Sequence, residues 1–220
     1  EAMLNYPCLV LDHDDTLVNS TADIHYHAFR ETLDRIRPGL ELSLEDYLRY
    51  NFAPGFTTLC RDILHFTPEE EQMQGENWLR RVAEQVPTVY PGFPELLARF
   101  KAEGGRVCVV SHSVRANILR DYRENGLPEP DLVFGWDVPS EHRKPFPWPL
   151  EEIMRQFSLP SEALLMVDDL KPGKDMADAC GVDFAAAGWA YSIPEIADYM
   201  RAHARHYCAS VAELEGLLFG

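Results

Sequence analysis

Long apolar runs are missing from this chain. No stretch approaches the ~18–20 residues that span a bilayer, so no membrane partner is expected. The first residues lack a basic region followed by an apolar core, so no secretory signal is expected. Basic residues are scarce: 20 Lys and Arg stand against 36 Asp and Glu, a net charge of -16. Such a surface repels phosphate backbones, which argues against nucleic acid as a partner. Cysteine is sparse and unpatterned. Cys8, Cys60, Cys108, Cys180 and Cys208 are odd in number and form no C-x-x-C pair. That argues against a disulfide framework or a zinc site, and for reduced thiols in a cytoplasmic protein.

What is present is material for a core. Of 220 residues, 46% are hydrophobic and 25% charged, which suits one large domain or one domain with an insertion. Residues 9–11 form a short apolar run with the character of a buried strand. Residues 21–36 then carry a helical stripe at Ile24, Ala28, Phe29, Leu33 and Ile36, stopped by Pro38-Gly39. Shorter helices are expected over 44–52 and 56–64. Thr67-Pro68-Glu69-Glu70 opens a fourth helix running to about residue 86. No strand is expected in 19–90.

From Tyr90 the pattern alternates. Helices are expected over 94–103, 115–125, 150–157, 174–180 and 193–204, with a last one opened by Ser210 and Glu213 as a capping box. Between them lie strands over 107–110, 132–134, 163–167 and 182–187, and a short one at 207–209. This order predicts an α/β fold: a Rossmann-like, doubly wound parallel sheet with an inserted all-helical cap domain. The expected division is a core of residues 1–18 plus 91–220 and a cap of residues 19–90.

Ligands of such sheets bind at the carboxyl ends of the strands. The first strand runs into Asp12-His13-Asp14-Asp15-Thr16, the second core strand into Ser111-His112-Ser113, and a later one into Asp168-Asp169. Lys144 lies in the loop before the helix that leads to that later strand. Crowded carboxylates resist ionising together unless a cation or an anionic reaction centre compensates. Two acid clusters, a hydroxyl and a lysine are the parts of a metal-assisted phosphoryl-transfer site, with Mg2+ as the hard cation that oxygen ligands prefer. In so acidic a chain, positive charge for a phosphate must be supplied locally.

These motifs resemble those of the haloacid dehalogenase superfamily of phosphohydrolases. Asp12-His13-Asp14-Asp15-Thr16-Leu17 is similar to its first motif and Val109-Val110-Ser111 to its second. Lys144-Pro145 is similar to the third, and Val167-Asp168-Asp169 to the double-Asp form of the fourth. The helical block and the Tyr90-Pro91-Gly92 return resemble the branch that contains beta-phosphoglucomutase and phosphoglycolate phosphatase. The resemblance implies Asp12 as nucleophile and Asp14 as general acid and base. It implies Mg2+ held by Asp12, Asp168, Asp169 and the Asp14 backbone carbonyl. Ser111, Lys144 and His112 would meet the phosphoryl group, and Thr16 would sit in the phosphate loop and orient the Asp14 region. The implied activity is hydrolysis of a small phosphorylated metabolite through an aspartyl-phosphate, by a monomer or homodimer. A phosphomutase of the same fold and a non-catalytic phospho-metabolite binding protein remain the alternatives.

Two positions stand out. Asp15 replaces the Gly usual in this motif, and Asp tolerates the left-handed region better than most residues. Asp14, to act as an acid near pH 7, needs a pKa about three above the usual ~3.9, or a proton gained during closure.

Overall fold

The structure is a computed structural model and describes residues 3–220. Six strands form one parallel sheet: β1 (Cys8–Leu11), β4 (Arg106–Val110), β5 (Leu132–Phe134), β6 (Leu164–Asp168), β7 (Asp183–Ala187) and β8 (His206–Cys208). Their order is β5-β4-β1-β6-β7-β8. The expected doubly wound α/β core is therefore present, with β1 central between β4 and β6.

The apolar runs are continuous because both faces of the sheet are covered. Leu9, Leu11, Val107, Val109, Leu165 and Val167 face α5 (Phe93–Ala102), α6 (Arg115–Glu124) and α10 (Val211–Leu218). Cys8, Val10, Cys108, Val110, Leu164 and Met166 face α7 (Trp148–Phe157), α8 (Lys171–Cys180) and α9 (Pro194–His203). This alternation within each strand is the period-two geometry of a pleated chain. Helices α7 and α8 begin two and three residues earlier than the sequence suggests. Pro149 and Pro172 sit in their first turns, where a missing N–H is harmless.

Between β1 and β4 lies a helical block: α1 (Tyr26–Ile36), α2 (Leu44–Phe52), α3 (Phe56–Thr58) and α4 (Pro68–Glu84). Its own cluster joins Phe29, Leu33, Leu42, Tyr47, Leu59, Cys60 and Phe66. The Thr67–Glu70 capping box starts α4, and Arg37 at the end of α1 grips the same Glu70 carboxylate with both Nη atoms. Thr21–His25 and Leu59–Ile63 are wide π-type turns rather than regular α-helix. One expectation fails at the edges of this block. Val18–Asn19 (β2) pairs antiparallel with Thr88–Val89 (β3). Two residues are too short to show a strand period, and their partners lie at opposite ends of the helical segment. At the chain's end, Ser210 caps α10, but the Glu213 carboxylate accepts from the Ala209 N–H instead of closing a capping box. No helix is long and apolar enough to cross a membrane among the described residues.

Candidate active site

Three central strands end together. The Asp12 N–H donates to the Val167 carbonyl at 2.9 Å, which ties the end of β1 to β6. Asp168 is the last residue of β6, and Asp169 follows it. One oxygen each from Asp12, Asp168 and Asp169 falls within a 4.8 Å group, and all three residues are buried. Lys144 enters between them, its Nζ 3.0 Å from Asp12 and 2.8 Å from Asp168. Gly173, in the first turn of α8, permits this closeness: a Cβ there would overlap the Asp168 carboxylate.

The charges do not balance. Burial opposes ionisation of Asp12, but Lys144 outweighs it and the pKa falls. Burial and the Asp12 charge push Asp168 up to about 7 against the pull of Lys144. Burial, Asp12 and Asp168 hold Asp169 well above the carboxylate range. Burial likewise disfavours charged Lys144, yet Asp12 and Asp168 raise its pKa. Three carboxylates thus share one ammonium in a site of oxygen donors. A divalent hard cation fits that donor set and would relieve the repulsion.

The Thr16 hydroxyl lies 3.1 Å from Asp12 and 3.2 Å from Asp169, so it braces these two carboxylates and not the Asp14 side chain. Its carbonyl accepts the Trp189 indole N–H at 2.8 Å. The Tyr191 hydroxyl donates to Asp169 at 2.8 Å. Ser111 follows the end of β4, and its Oγ accepts the Ser113 N–H at 3.0 Å. His112 bonds the Lys144 carbonyl at 3.0 Å and so supports the lysine loop. Burial and the nearby Lys144 charge push its pKa down to about 4, leaving a neutral ring that donates from Nε2.

The Asp14 side chain turns away from the other carboxylates. It accepts from Ser20 Oγ at 2.8 Å, from Ser113 Oγ, and from His25 Nε2 at 3.0 Å. Burial opposes its ionisation, but the His25 ring and the Ser113 hydroxyl outweigh it, and the pKa lies far below the usual value. Of the two routes to an acid, the raised pKa is therefore not the one this arrangement favours: here Asp14 is an acceptor. Trp78, from α4, places its indole N–H 2.6 Å from His25 Nδ1. An indole can only donate, so Nδ1 accepts and the ring's proton sits on Nε2, toward Asp14. Burial favours the neutral ring, while the Asp14 carboxylate raises the His25 pKa overall. A second proton enters this imidazole only by displacing Trp78.

Asp15 occupies the left-handed region at φ 60, as its replacement of Gly requires. Its carboxylate accepts the Thr21 N–H at 3.0 Å and the Ser20 N–H at 3.4 Å, at the first turn of the helical block. Burial pushes its pKa up to about 6, with Thr21 opposing and Asp14 reinforcing. His13 points into the core. Its Nε2 meets Asp121 at 2.8 Å, and its ring stacks on Tyr122. Arg120 bonds Asp121 and also the carbonyls of Ala83 and Gln85, where α4 ends. His25, Trp78, Ser113, Tyr191 and Asp121 are not picked out by the motifs. Only Ser113, in Ser-His-Ser, carried a visible sign.

Over these residues opens a cavity of about 790 Å3. Its floor includes Asp12, Asp14, Ser111, Lys144 and Asp169, and its far wall comes from the helical block. The Asn51–Phe56 turn and Trp78 reach into it.

Residues 9–187 match a family model described as haloacid dehalogenase-like hydrolase. The chain belongs to that family. Curated relatives agree with this assignment. Protein CbbY of Rhodobacter capsulatus is 25% identical over 86% of this chain and 92% of its own length. A phosphoglycolate phosphatase of Mesorhizobium japonicum is 23% identical over 96% of each chain. The haloacid dehalogenase-like fold is also seen in a mutant CbbY from Rhodobacter sphaeroides in complex with xylulose-(1,5)bisphosphate. That structure superposes with a TM-score of 0.72 at 23% identity, covering 95% of this chain and 96% of the other. Membership places the chain among the haloacid dehalogenase-like hydrolases, and one of the relatives named is a phosphatase.

Proposed function

We propose that this haloacid dehalogenase-like hydrolase is a Mg2+-dependent phosphatase that cleaves a small phosphorylated metabolite through an aspartyl-phosphate. The observation that carries the reading is the convergence of Asp12, Lys144, Asp168 and Asp169 at the carboxyl ends of adjacent parallel strands. Asp12, Asp168, Asp169 and the Asp14 backbone carbonyl would hold Mg2+. When bound, the ion would supply positive charge to the phosphoryl oxygens.

The chain's own residues do the rest. The Asp12 carboxylate, kept ionised by Lys144, attacks phosphorus in line. Lys144, Ser111 and the loop supported by His112 hold the phosphoryl oxygens as charge spreads over them. Asp14 delivers a proton to the leaving oxygen and later takes one from the attacking water. Its low pKa means that the proton is transient, gained from substrate or solvent as the cap closes; the His25 Nε2–H at 3.0 Å orients the carboxylate that receives it. Thr16 and Tyr191 keep the carboxylates in place. Residues 19–90 act as a cap whose seating over the floor excludes water. The five cysteines are free, as suits a cytoplasmic enzyme.

Phosphate release from a panel of monoesters, with and without Mg2+, tests the reading. Release should require Mg2+ and vanish in Asp12→Asn. A labelled phosphoryl group should be recovered on acid-quenched wild-type protein. A labelled protein that returns its phosphoryl group only to a sugar would make the chain a mutase. Undiminished release by Asp12→Asn would sink the mechanism.

A further inference from the structure

The helical wall of the cavity differs in chemistry from its floor. Helix α4 turns Glu71, Gln74, Gly75, Trp78 and Leu79 into it, the spacing of a single helix face. Gly75 lies at the centre of that stripe. A Cβ there would meet nothing within 4 Å, so no packing neighbour demands glycine. Glycine weakens a helix interior, and here it leaves bare backbone toward the cavity. Beside it Gln74 is only 9% exposed, yet among the described residues its amide has no hydrogen-bond partner. One turn on, the Trp78 ring is held as a plane by the indole bond to His25.

Charge is the second contrast. On the helical wall the lining cation is Arg61, whose Nε is bonded to Glu71 at 2.6 Å. Lys144 is engaged on the floor. Arg143, also on the sheet side, lies 3.7 Å from the Trp136 ring centre and donates its Nε to the carbonyls of Trp136 and Val138. The surface that faces a leaving group therefore offers an aromatic plane, a bare helix turn and an unpartnered amide. A second anion placed against the helical wall would lose its water beside the Glu71 carboxylate, which already holds Arg61.

We propose that Gln74, Gly75 and Trp78 select phosphate monoesters whose leaving alcohol is uncharged and carries a planar group with a hydrogen-bonding edge, the chemistry of a nucleoside. The plane stacks on Trp78, its edge pairs with the Gln74 amide, and its bulk fills the space over Gly75. This assignment rests on the phosphatase reading of the same site.

The test is kcat/KM of the full chain with Mg2+ for uridine monophosphate, naphthyl phosphate, glycerol phosphate and a sugar bisphosphate. Uridine monophosphate should exceed the bisphosphate by about tenfold or more. Gly75→Leu should fold at least as stably as the parent and lower the ratio of uridine monophosphate to glycerol phosphate by about tenfold. Gln74→Leu should lower uridine monophosphate turnover and spare naphthyl phosphate, which has no edge to read. A preferred bisphosphate, or equal losses on every ester in both variants, overturns the proposal. If the wild type hydrolyses no ester, the phosphatase reading has failed. The wall is then judged by calorimetric titration of Asp12→Asn: tighter uridine monophosphate supports the selection, and tighter bisphosphate overturns it.

Discussion

Replacing His25 separates proton delivery from the rest of the chemistry. The imidazole supplies one of three hydrogen bonds to the Asp14 carboxylate, at 3.0 Å, beside those from Ser20 and Ser113. A hydrogen bond to a charged group contributes about 1.5–3 kcal/mol. Losing the bond that aims this carboxylate at the leaving oxygen should slow the step that protonates it roughly 10- to 150-fold, at about 1.4 kcal/mol per tenfold. The loss should depend on the leaving group. An alkyl phosphate needs its departing oxygen protonated, whereas p-nitrophenyl phosphate departs as a stable phenolate and needs little help. His25→Ala should therefore lose kcat on alkyl esters by the full factor and on p-nitrophenyl phosphate by only a few-fold, with KM nearly unchanged. His25→Gln, which keeps a donor, should recover part of the alkyl rate. Steady-state kinetics on both ester classes, with the Tm of each variant, make the comparison. Equal losses on both classes would show that His25 merely supports the fold, and no loss on either would refute the coupling to Asp14.

Other outcomes follow from the same geometry. Mg2+ should raise the Tm, and by less at pH 6 than at pH 8. Asp168, with its pKa near 7, must give up a proton to bind below that pH; an equal rise at both values would exclude it as a ligand. Asp15→Asn should stabilise the protein at pH 7 by on the order of 2–3 kcal/mol. The folded pKa, about 6, lies above the unfolded value of about 3.8, so ionised Asp15 disfavours folding above pH 6. That penalty fades as pH falls toward 4, and denaturant titrations across this window should converge for the two proteins. Glu70, pushed down to about 2 chiefly by Arg37, contributes stability that is full above its usual value of 4.5 and is lost as pH falls toward 2. Circular dichroism of Glu70→Gln should show a flatter acid profile over that range. Gly173→Ala should cost about 1–3 kcal/mol in denaturant unfolding, because the added methyl displaces Asp168.

Much of the architecture is legible because parallel strands buried on both faces must be continuously apolar. Leu9-Val10-Leu11 and Leu164 to Val167 announce themselves in this way, and the residues after them inherit a position at the strand ends. Asp12, Ser111, Asp168 and Asp169 are therefore readable one strand at a time, and Lys144 through its Lys-Pro loop. The partners of Asp14 are not. His25 arrives on a wide π-type turn that shifts its register by one residue, and Trp78 comes from a helix more than sixty positions away. The low pKa of Asp14 is a property of that convergence and could not be inferred from Asp14 itself. The β2–β3 ribbon is hidden for a different reason, since pairing over two residues leaves no periodicity to read.

The wide sequence spacing of the site has a consequence for the nascent chain. The helical block closes its Phe29, Leu33, Tyr47 and Phe66 cluster with contacts inside one segment, and such local contacts form early. Asp12 is synthesised before all of it, but Lys144 lies 132 residues later and the Thr16 contact to Asp169 spans 153. During vectorial synthesis Asp12 thus waits, unpaired with Lys144, until β6 threads in beside β1. Truncations before residue 164 should yield a folded helical segment attached to an open sheet that lacks the Asp12, Lys144, Asp168 and Asp169 cluster. Acquisition of the cluster would then mark the moment at which the sheet closes on its middle strand.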